Sequence, residues 1–358
     1  MKHISFLKKI KRISVAIFCL AGMSGFGPAV ADEFPKMNLK LAHAFPQVWV
    51  QSQKVDQWFV DEIERRSGGK IKIEIYWSGA LAEPKYIFNI AGSGGVAMGA
   101  TSPGYYPSDM PFGGLINALS GTLSFDNARE GALITQEIFD KFPIVQEDWK
   151  KMGVWPLYFN ALGEYRLACT NPVTSANDLK NKKIRQFSDF HPKLWESLGA
   201  TGVTVLPAEI YEGLARGRMD CGYYDYSLLS RSKLYEPAKY LSNINLGASS
   251  TWPVVVNYDL FFNKWPQNVR DLFMEVGREA AAKSIEIVQQ DEDDALKEML
   301  DHGAVMVDFP ASEQEKIEGM APDFLDIWVL NMEKKGLGKE ASEVSDYIKK
   351  RRTELRAE

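Results

Sequence analysis

Segments with the two-residue alternation of a strand are followed repeatedly by segments with helical spacing, and this order constrains the fold more than any other feature. Residues 39–43 alternate like a strand, and residues 55–63 carry a helical apolar stripe. Ile71, Ile73 and Ile75 then alternate with charged or polar residues. A strand, a helix and a strand in succession predict a parallel pair with a right-handed crossover. The sequence therefore predicts an α/β protein.

The same order recurs in the middle of the chain. An apolar strand at 154–159 opens a second series, which contains strands around Ile184 and at 219–224. Parallel sheets bind ligands at the carboxyl ends of their strands, so two such sheets that face each other would form a cleft. Residues 253–263 look like a strand that returns between the two series.

We therefore predict two α/β domains with a ligand cleft between them. The first covers residues 32–157, with the returning strand near 253–263, and the second covers 158–252. Residues 264–358 would form helices that pack on both domains. Within them, residues 267–302 contain no proline and a single glycine. This stretch predicts one unusually long helix that spans both domains.

Residues 1–31 have the pattern of a secretory signal peptide. Basic residues precede an apolar run from Ile13 to Leu20, and Ala29-Val30-Ala31 forms a small-residue cleavage site. The apolar run is shorter than the roughly 20 residues that cross a bilayer, although an uncleaved anchor is the alternative reading. We predict cleavage before Asp32 and a periplasmic location.

Removal of this peptide takes away five basic residues and no acidic ones, so the formal net charge changes from −5 to −10. Such an acidic chain is a poor candidate for binding nucleic acid. Cys169 and Cys221 then remain, without the paired spacing of a zinc site. An oxidising compartment permits a disulfide between them, but the sequence does not say whether they come close enough to form it.

Motifs for catalysis are not visible. Residues 92–97 fit a dinucleotide-binding pattern of glycines, but a predicted helix precedes them and a strand follows, which is the wrong context. The histidines are scattered and have no neighbouring pattern of a hydrolase or a metal cluster. We therefore predict a binding protein that is not an enzyme and has no cofactor.

Ordered motifs are spread over nearly the whole chain beyond the signal peptide. In chain order they are Leu41-Ala42-His43-Ala44-Phe45, the run from Ile75 to Leu81, Ser102-Pro103-Gly104-Tyr105-Tyr106, Asp178 to Arg185, Leu198-Gly199-Ala200, Glu209 to Asp220, and Trp252-Pro253. This combination resembles the substrate-binding proteins of tripartite ATP-independent periplasmic (TRAP) transporters, the DctP family. The resemblance implies a two-domain periplasmic binding protein-like fold and a receptor that carries a small organic acid to membrane subunits.

The resemblance also implies which residue anchors the ligand. In that family the arginine at the end of the Lys-Ile-Arg strand binds the ligand carboxylate, and here it is Arg185. A planar guanidinium can donate two parallel hydrogen bonds to a carboxylate. Arg166 matches a second arginine of many members, and a structural salt bridge with Glu164 or Asp220 is the alternative role.

The strand after Asp220 carries further ligand contacts in the family, and here it contains Tyr223 and Tyr224. Some members have an acid there that helps to hold a metal, and its loss predicts binding without a metal. Adjacent strand residues point to opposite faces, so we expect only one tyrosine to enter the cleft directly. The resemblance to the family implies that this residue is Tyr224. Other candidates at strand ends or hinge positions are Phe45, Trp49, Ser102, Tyr105, Phe187 and Trp252.

The expected function is an extracytoplasmic receptor that closes over an organic acid. The alternatives are a periplasmic enzyme acting on an acid in the same cleft and a sensor partner of a signalling receptor. Aromatic walls and the missing acid favour an apolar or aromatic monocarboxylate, whereas a second arginine in the cleft would favour a dicarboxylate or a sugar acid. A monomer is favoured over a dimer.

Overall fold

Extended segments rich in β-branched and apolar residues form two sheets. The computed structural model describes residues 33–205 and 207–358, so the predicted signal peptide lies outside the described residues. The strands are β1 (Met37–His43), β2 (Ile71–Tyr76), β3 (Met98–Ala100), β4 (Val154–Leu162), β5 (Arg166–Cys169), β6 (Lys183–Gln186), β7 (Thr201–Thr204), β8 (Cys221–Tyr224), β9 (Tyr240–Ser242), β10 (Ser249–Asn257) and β11 (Val305–Val307).

Helices cover the sheets and form the carboxyl-terminal part of the chain. They are α1 (Gln57–Arg66), α2 (Ile87–Gly92), α3 (Leu115–Ala118), α4 (Ala128–Lys141), α5 (Pro143–Lys151), α6 (His191–Ser197), α7 (Ile210–Ala215), α8 (Tyr226–Arg231), α9 (Gln267–Asp301), α10 (Ala311–Met320), α11 (Phe324–Glu333) and α12 (Gly338–Leu355). The part of the predicted helical region 264–358 that follows α9 forms three helices, because Pro322 and the left-handed Gly336 (φ 76°) separate them.

The first sheet has the strand order β2-β1-β3-β10-β4. β1 pairs in parallel with β2, which confirms the crossover predicted from the alternation of patterns. Helix α1 makes this crossover and buries Phe59, Val60 and Ile63. The prediction of a returning strand at 253–263 is wrong at its carboxyl-terminal end, because β10 ends at Asn257 and a π-helical turn follows. The Asn257 side chain accepts a hydrogen bond from the Leu260 amide over 2.8 Å and fixes the start of that turn.

The second sheet has the order β11-β9-β5-β8-β6-β7. β6 pairs in parallel with β7 and β8, whereas β5 lies antiparallel between β8 and β9. Cys169 and Cys221 face each other on β5 and β8 and form a disulfide, which answers the question that the sequence left open. The short strands β9 and β11 were not predicted, since three residues carry too little pattern to be recognised.

Helix α9 runs from the first sheet to a helix beside the second sheet. It packs against β4 of the first sheet and against α8 beside the second. A Cβ at Gly277 would lie 2.6 Å from the Leu157 carbonyl oxygen, so this glycine permits the close approach of α9 to β4. Near the middle of α9, the Ser284 hydroxyl accepts the amide of Ala161 over 2.8 Å. Together these features form a two-sheet α/β fold joined by one helix of 35 residues.

The chain passes between the two sheets twice near the same place. It leaves the first sheet at the end of β4 and enters the second at Arg166, the start of β5. It returns between Ser242, the end of β9, and Ser249, the start of β10. The short linking segments 163–165 and 243–248 are therefore the candidate hinges.

Candidate functional site

Arg185 is enclosed at the carboxyl end of β6, with 3% of its surface exposed. Its Nε and Nη1 atoms have no hydrogen-bond partner among the described residues. The guanidinium carbon lies 4.8 Å from the ring centroids of both Phe187 and Tyr224. Aromatic faces attract a cation but do not satisfy its N–H donors. A buried guanidinium with unused donors suits an anion that brings acceptor oxygens.

A small cavity of about 40 Å³ lies beside Arg185, between elements of the two sheets. Of the described residues that line it, Arg185 alone carries a charge. The lining residues are Phe45, Trp49, Ser102, Tyr105, Asn117, Leu162, Tyr165, Arg185, Phe187, Pro207, Tyr224, Leu228 and Thr251. Nearly half of them are aromatic, so the site combines one cation with flat apolar walls.

The wall from the first sheet is a stack of rings. Phe45 stacks on Trp49, with centroids 5.1 Å apart, and on Trp252, with centroids 4.3 Å apart. Trp252 itself is fully buried and is not among the lining residues; its indole N–H donates to the Asp56 carboxylate over 2.8 Å. The predicted wall residue Trp252 thus lies behind the wall and supports Phe45.

Ser102 and Tyr105 bring polar groups to the same cavity from the turn after β3. The Ser102 hydroxyl donates to Asn117 Oδ1 over 2.6 Å, and the Asn117 amide donates to the carbonyl of Ser250 over 3.2 Å. Burial raises the pKa of Tyr105 to about 12, so its hydroxyl stays protonated at neutral pH. The polar side of the site is therefore neutral and largely engaged within the protein.

The two adjacent tyrosines of β8 have different positions. Tyr224 lines the cavity, whereas Tyr223 is fully buried beneath it and hydrogen-bonds through its hydroxyl to His191 Nε2. Burial, and then the nearby Arg185 charge, lower the pKa of His191 to about 3, so this histidine is neutral. Tyr223 and His191 thus form a neutral layer below the guanidinium.

Arg166 is not among the residues that line the cavity. Its Nη1 donates to the carbonyls of Asn243 and Ile244 over 2.9 and 3.2 Å, and its Nη2 lies 3.8 Å from a Glu164 oxygen. These contacts tie β5 to the returning segment 243–248. The geometry matches the structural alternative for this arginine, which joins the two candidate hinges.

Several lining residues were not predicted from the sequence. They are Asn117, Leu162, Tyr165, Pro207, Leu228 and Thr251. Tyr165 had a usable signal, because it directly precedes β5 and therefore lies at a strand end. Leu162 had the same signal, because it is the last residue of β4. The others come from short helical segments or from a strand interior, and only the folded chain brings them together.

In residues 33–205 and 207–358, no group of three or more His, Cys, Asp or Glu side chains is arranged to hold a metal ion. Across that same part of the chain, no helix has the length and apolar character needed to span a membrane.

A two-sheet α/β fold with a small cavity between the sheets and one buried cation defines the class of two-domain solute-binding proteins. The chain belongs to the bacterial extracellular solute-binding protein family 7 (DctP), whose pattern matches residues 41–327. This membership confirms the resemblance seen in the sequence motifs.

Individual relatives agree with this assignment. A solute-binding protein of Albidiferax ferrireducens is 25% identical over 298 residues, which cover 79% of this chain and 84% of the relative. A TRAP solute-binding protein from a marine metagenome, solved with 3-hydroxybenzoate, has a TM-score of 0.79 at 18% identity. The match covers 90% of this chain and 99% of the metagenome protein.

A TRAP solute-binding protein of Rhodoferax ferrireducens, solved with copurified benzoate, has a TM-score of 0.77 at 20% identity. The match covers 89% of this chain and 99% of the Rhodoferax protein. At these identities the structural likenesses establish the fold. The chain is therefore a solute-binding receptor by family and has the fold of TRAP binding proteins.

Proposed function

We propose that this protein is the extracytoplasmic receptor of a TRAP transporter, and that it binds a small organic acid through a carboxylate at Arg185. One observation carries the proposal: Arg185 is 3% exposed, borders the cavity and has unpartnered N–H donors. A carboxylate supplies two acceptor oxygens in the geometry of the guanidinium fork.

The solved relatives support the same ligand class. Their bound molecules are benzoate in the Rhodoferax protein, 3-hydroxybenzoate in the metagenome protein and β-D-galacturonate in a protein of a Sulfitobacter species. These molecules differ in ring chemistry and share one carboxylate. The shared group is the one that Arg185 is suited to bind.

Entry of the solute requires opening of the two domains. A solute cannot reach a side chain that is 3% exposed unless the sheets separate, and the chain crosses between them through the short segments 163–165 and 243–248. Hinge closure then buries the ligand, and membrane subunits that prefer the closed form would read its occupancy. The receptor acts in the periplasm as a monomer and without a metal in this proposal.

The test is a thermal-shift screen of organic acids followed by calorimetric titration. An acid that binds only the folded state raises the melting temperature. Arg185→Ala should weaken binding by more than about tenfold, because a charge-assisted bidentate pair is lost. Arg216→Ala is the matched control, since Arg216 is exposed and pairs with Glu212 on the surface. Equal affinity of Arg185→Ala and wild type would refute the anchor.

A second measurement distinguishes a transport receptor from an enzyme and from a sensor partner. The acid that binds should be recovered unchanged after incubation with the protein, and its uptake into vesicles that contain the transporter's membrane subunits should require the receptor. Conversion of the acid would instead support the periplasmic enzyme. Binding without any stimulation of uptake would favour the sensor partner.

A further inference from the structure

The cavity beside Arg185 has features that the binding of a carboxylate alone would not require. Its lining includes six aromatic side chains, and its one charged group is the guanidinium. An organic acid of any class would satisfy Arg185. The remaining lining residues can therefore discriminate between classes of acid.

The aromatic rings on the Arg185 side are close to parallel. The Tyr165 ring lies at 28° to that of Phe187 and at 27° to that of Tyr224. On the opposite side, Phe45 and Trp49 stack at 20°. Stacked and offset aromatic pairs gain attraction beyond the burial of area, and only a flat solute can use such faces fully.

Ser102 and Asn117, two polar residues of the lining, have their hydrogen-bonding groups engaged within the protein. Ser102 Oγ both donates to Asn117 Oδ1 and accepts the amide of Gly104, and Asn117 Nδ2 donates to backbone carbonyls. These groups satisfy one another. The other polar side chains of the described lining are Tyr105, Tyr165, Tyr224 and Thr251, whose hydroxyls can pair with a small number of hydroxyl substituents. Any further solute hydroxyl would lose its water without gaining a partner, which is unfavourable.

A second negative charge would also lack a partner. The described lining residues include no second cation. Arg166 lies outside the lining and is engaged by Asn243, Ile244 and Glu164. The next layer, Tyr223 and His191, is buried and neutral. A second carboxylate in this cavity would therefore be desolvated and unpaired.

We infer that the solute is a planar aromatic monocarboxylate, bound with its carboxylate on Arg185 and one face of its ring against the wall of Tyr165, Phe187 and Tyr224. The edge of its ring would meet the other wall, because the Trp49 ring stands at 67° to the Tyr224 ring, with centroids 6.3 Å apart. This inference rests on the proposed function and narrows it. Neutral ring substituents of hydroxyl size are compatible with it, because the Tyr105 and Thr251 side chains also border the cavity.

The experiment compares four acids by calorimetric titration. Benzoate is the flat monocarboxylate, cyclohexanecarboxylate has a ring of the same size that is not flat, isophthalate adds a second carboxylate, and glucuronate adds hydroxyl groups. Benzoate should bind about tenfold more tightly than cyclohexanecarboxylate. Isophthalate and glucuronate should bind more weakly still, since the second carboxylate of isophthalate finds no cation and glucuronate combines a ring that is not flat with several hydroxyl groups that lose their water.

A variant makes the ring contact itself testable. Phe187→Leu keeps apolar volume but removes a ring, and should bring the affinities for benzoate and cyclohexanecarboxylate to within about threefold of each other. Phe142→Leu is the matched control, because Phe142 packs on Tyr347 outside the cavity lining and should leave the preference unchanged.

The outcomes distinguish this inference from the proposed function. Glucuronate or isophthalate binding as tightly as benzoate, with loss of binding in Arg185→Ala, would overturn the aromatic class and leave the organic-acid receptor intact. Failure of every acid in the wider screen to show binding that depends on Arg185 would overturn the proposed function and this inference with it.

Discussion

The backbone amide of Gly163 donates a hydrogen bond to the Asp225 carboxylate over 3.2 Å, at the point where the chain leaves the first sheet for the second. The other Asp225 oxygen accepts the amide of Leu228 over 2.7 Å and caps α8. Beside it, Glu292 of α9 accepts the amides of the first two residues of α8. The buried Asp225 carboxylate therefore ties one candidate hinge to the start of α8, and the half-buried Glu292 reinforces that helix start.

The Asp225 carboxyl predicts a pH dependence of stability. Burial, with repulsion from Asp291 and Glu164, raises its pKa from 3.8 to about 7. As pH rises, the unfolded chain releases this proton before the folded chain does, which favours unfolding. The stabilisation is complete below about pH 4 and is lost as pH rises to about 7. We expect the melting temperature to fall across this window, and Asp225→Asn to flatten the fall in calorimetric scans.

The matched control for this prediction is Asp294→Asn. Asp294 is an exposed carboxylate on α9, the helix that also carries Glu292. Its removal should leave the slope of melting temperature against pH unchanged. If Asp225→Asn and wild type have the same slope, Asp225 is not the group that titrates.

A second buried carboxylate supports the aromatic wall. Asp56 accepts hydrogen bonds from Tyr158, Asn160 and Trp252 over 2.7, 2.9 and 2.8 Å, and its Oδ2 lies 2.8 Å from His43 Nε2. Asp56→Ala leaves these buried groups without their shared partner. We expect a loss of about 3–5 kcal/mol in the free energy of unfolding, measured by urea denaturation.

Two other substitutions test whether the hydrogen bonds cause this loss. Asp56→Asn keeps one carbonyl acceptor and a similar shape, so it should lose less stability than Asp56→Ala. Asp61→Ala, on the exposed face of α1, should change stability by no more than about 0.5 kcal/mol. Equal losses for Asp56→Ala and Asp61→Ala would contradict a structural role for the Asp56 network.

The sequence predicted the fold class well because most elements carry a strong local pattern. The alternation at Ile71, Ile73 and Ile75 corresponds to β2, and the proline-free stretch at 267–302 corresponds to α9. The order of the strands in each sheet, and the antiparallel placement of β5, could not be predicted. They depend on contacts between residues that are far apart in the chain.

The candidate site was predictable only in part, for a similar reason. Family resemblance singled out Arg185, and the alternation of strand faces separated Tyr224 from Tyr223. Neither kind of reasoning could distinguish a ring that lines the cavity, such as Phe45, from a ring that lies behind it, such as Trp252. That distinction depends on the packing of Trp252 over Asp56, which local patterns do not encode.

The disulfide between Cys169 and Cys221 predicts a dependence of stability on redox state. It closes a sequence separation of 52 residues, and loop-closure entropy gives a stabilisation of about 4 kcal/mol. The double variant Cys169→Ala, Cys221→Ala should lose free energy of unfolding on that order. Dithiothreitol should destabilise the wild type and leave the double variant unchanged. If dithiothreitol destabilises both the wild type and the double variant, its effect does not come from this disulfide.

The last prediction concerns the geometry of the anchor rather than its charge. Arg185→Lys keeps a cation at the end of β6 but replaces a planar fork by a point charge. For a benzoate probe, we expect calorimetric titration to show affinity about tenfold below wild type and above that of Arg185→Ala, because one of two parallel hydrogen bonds is lost while the attraction between charges persists. Arg216→Lys, at an exposed position, controls for the change in chemistry. Wild-type affinity in Arg185→Lys would mean that charge alone holds the carboxylate, and affinity as low as that of Arg185→Ala would mean that the fork is essential.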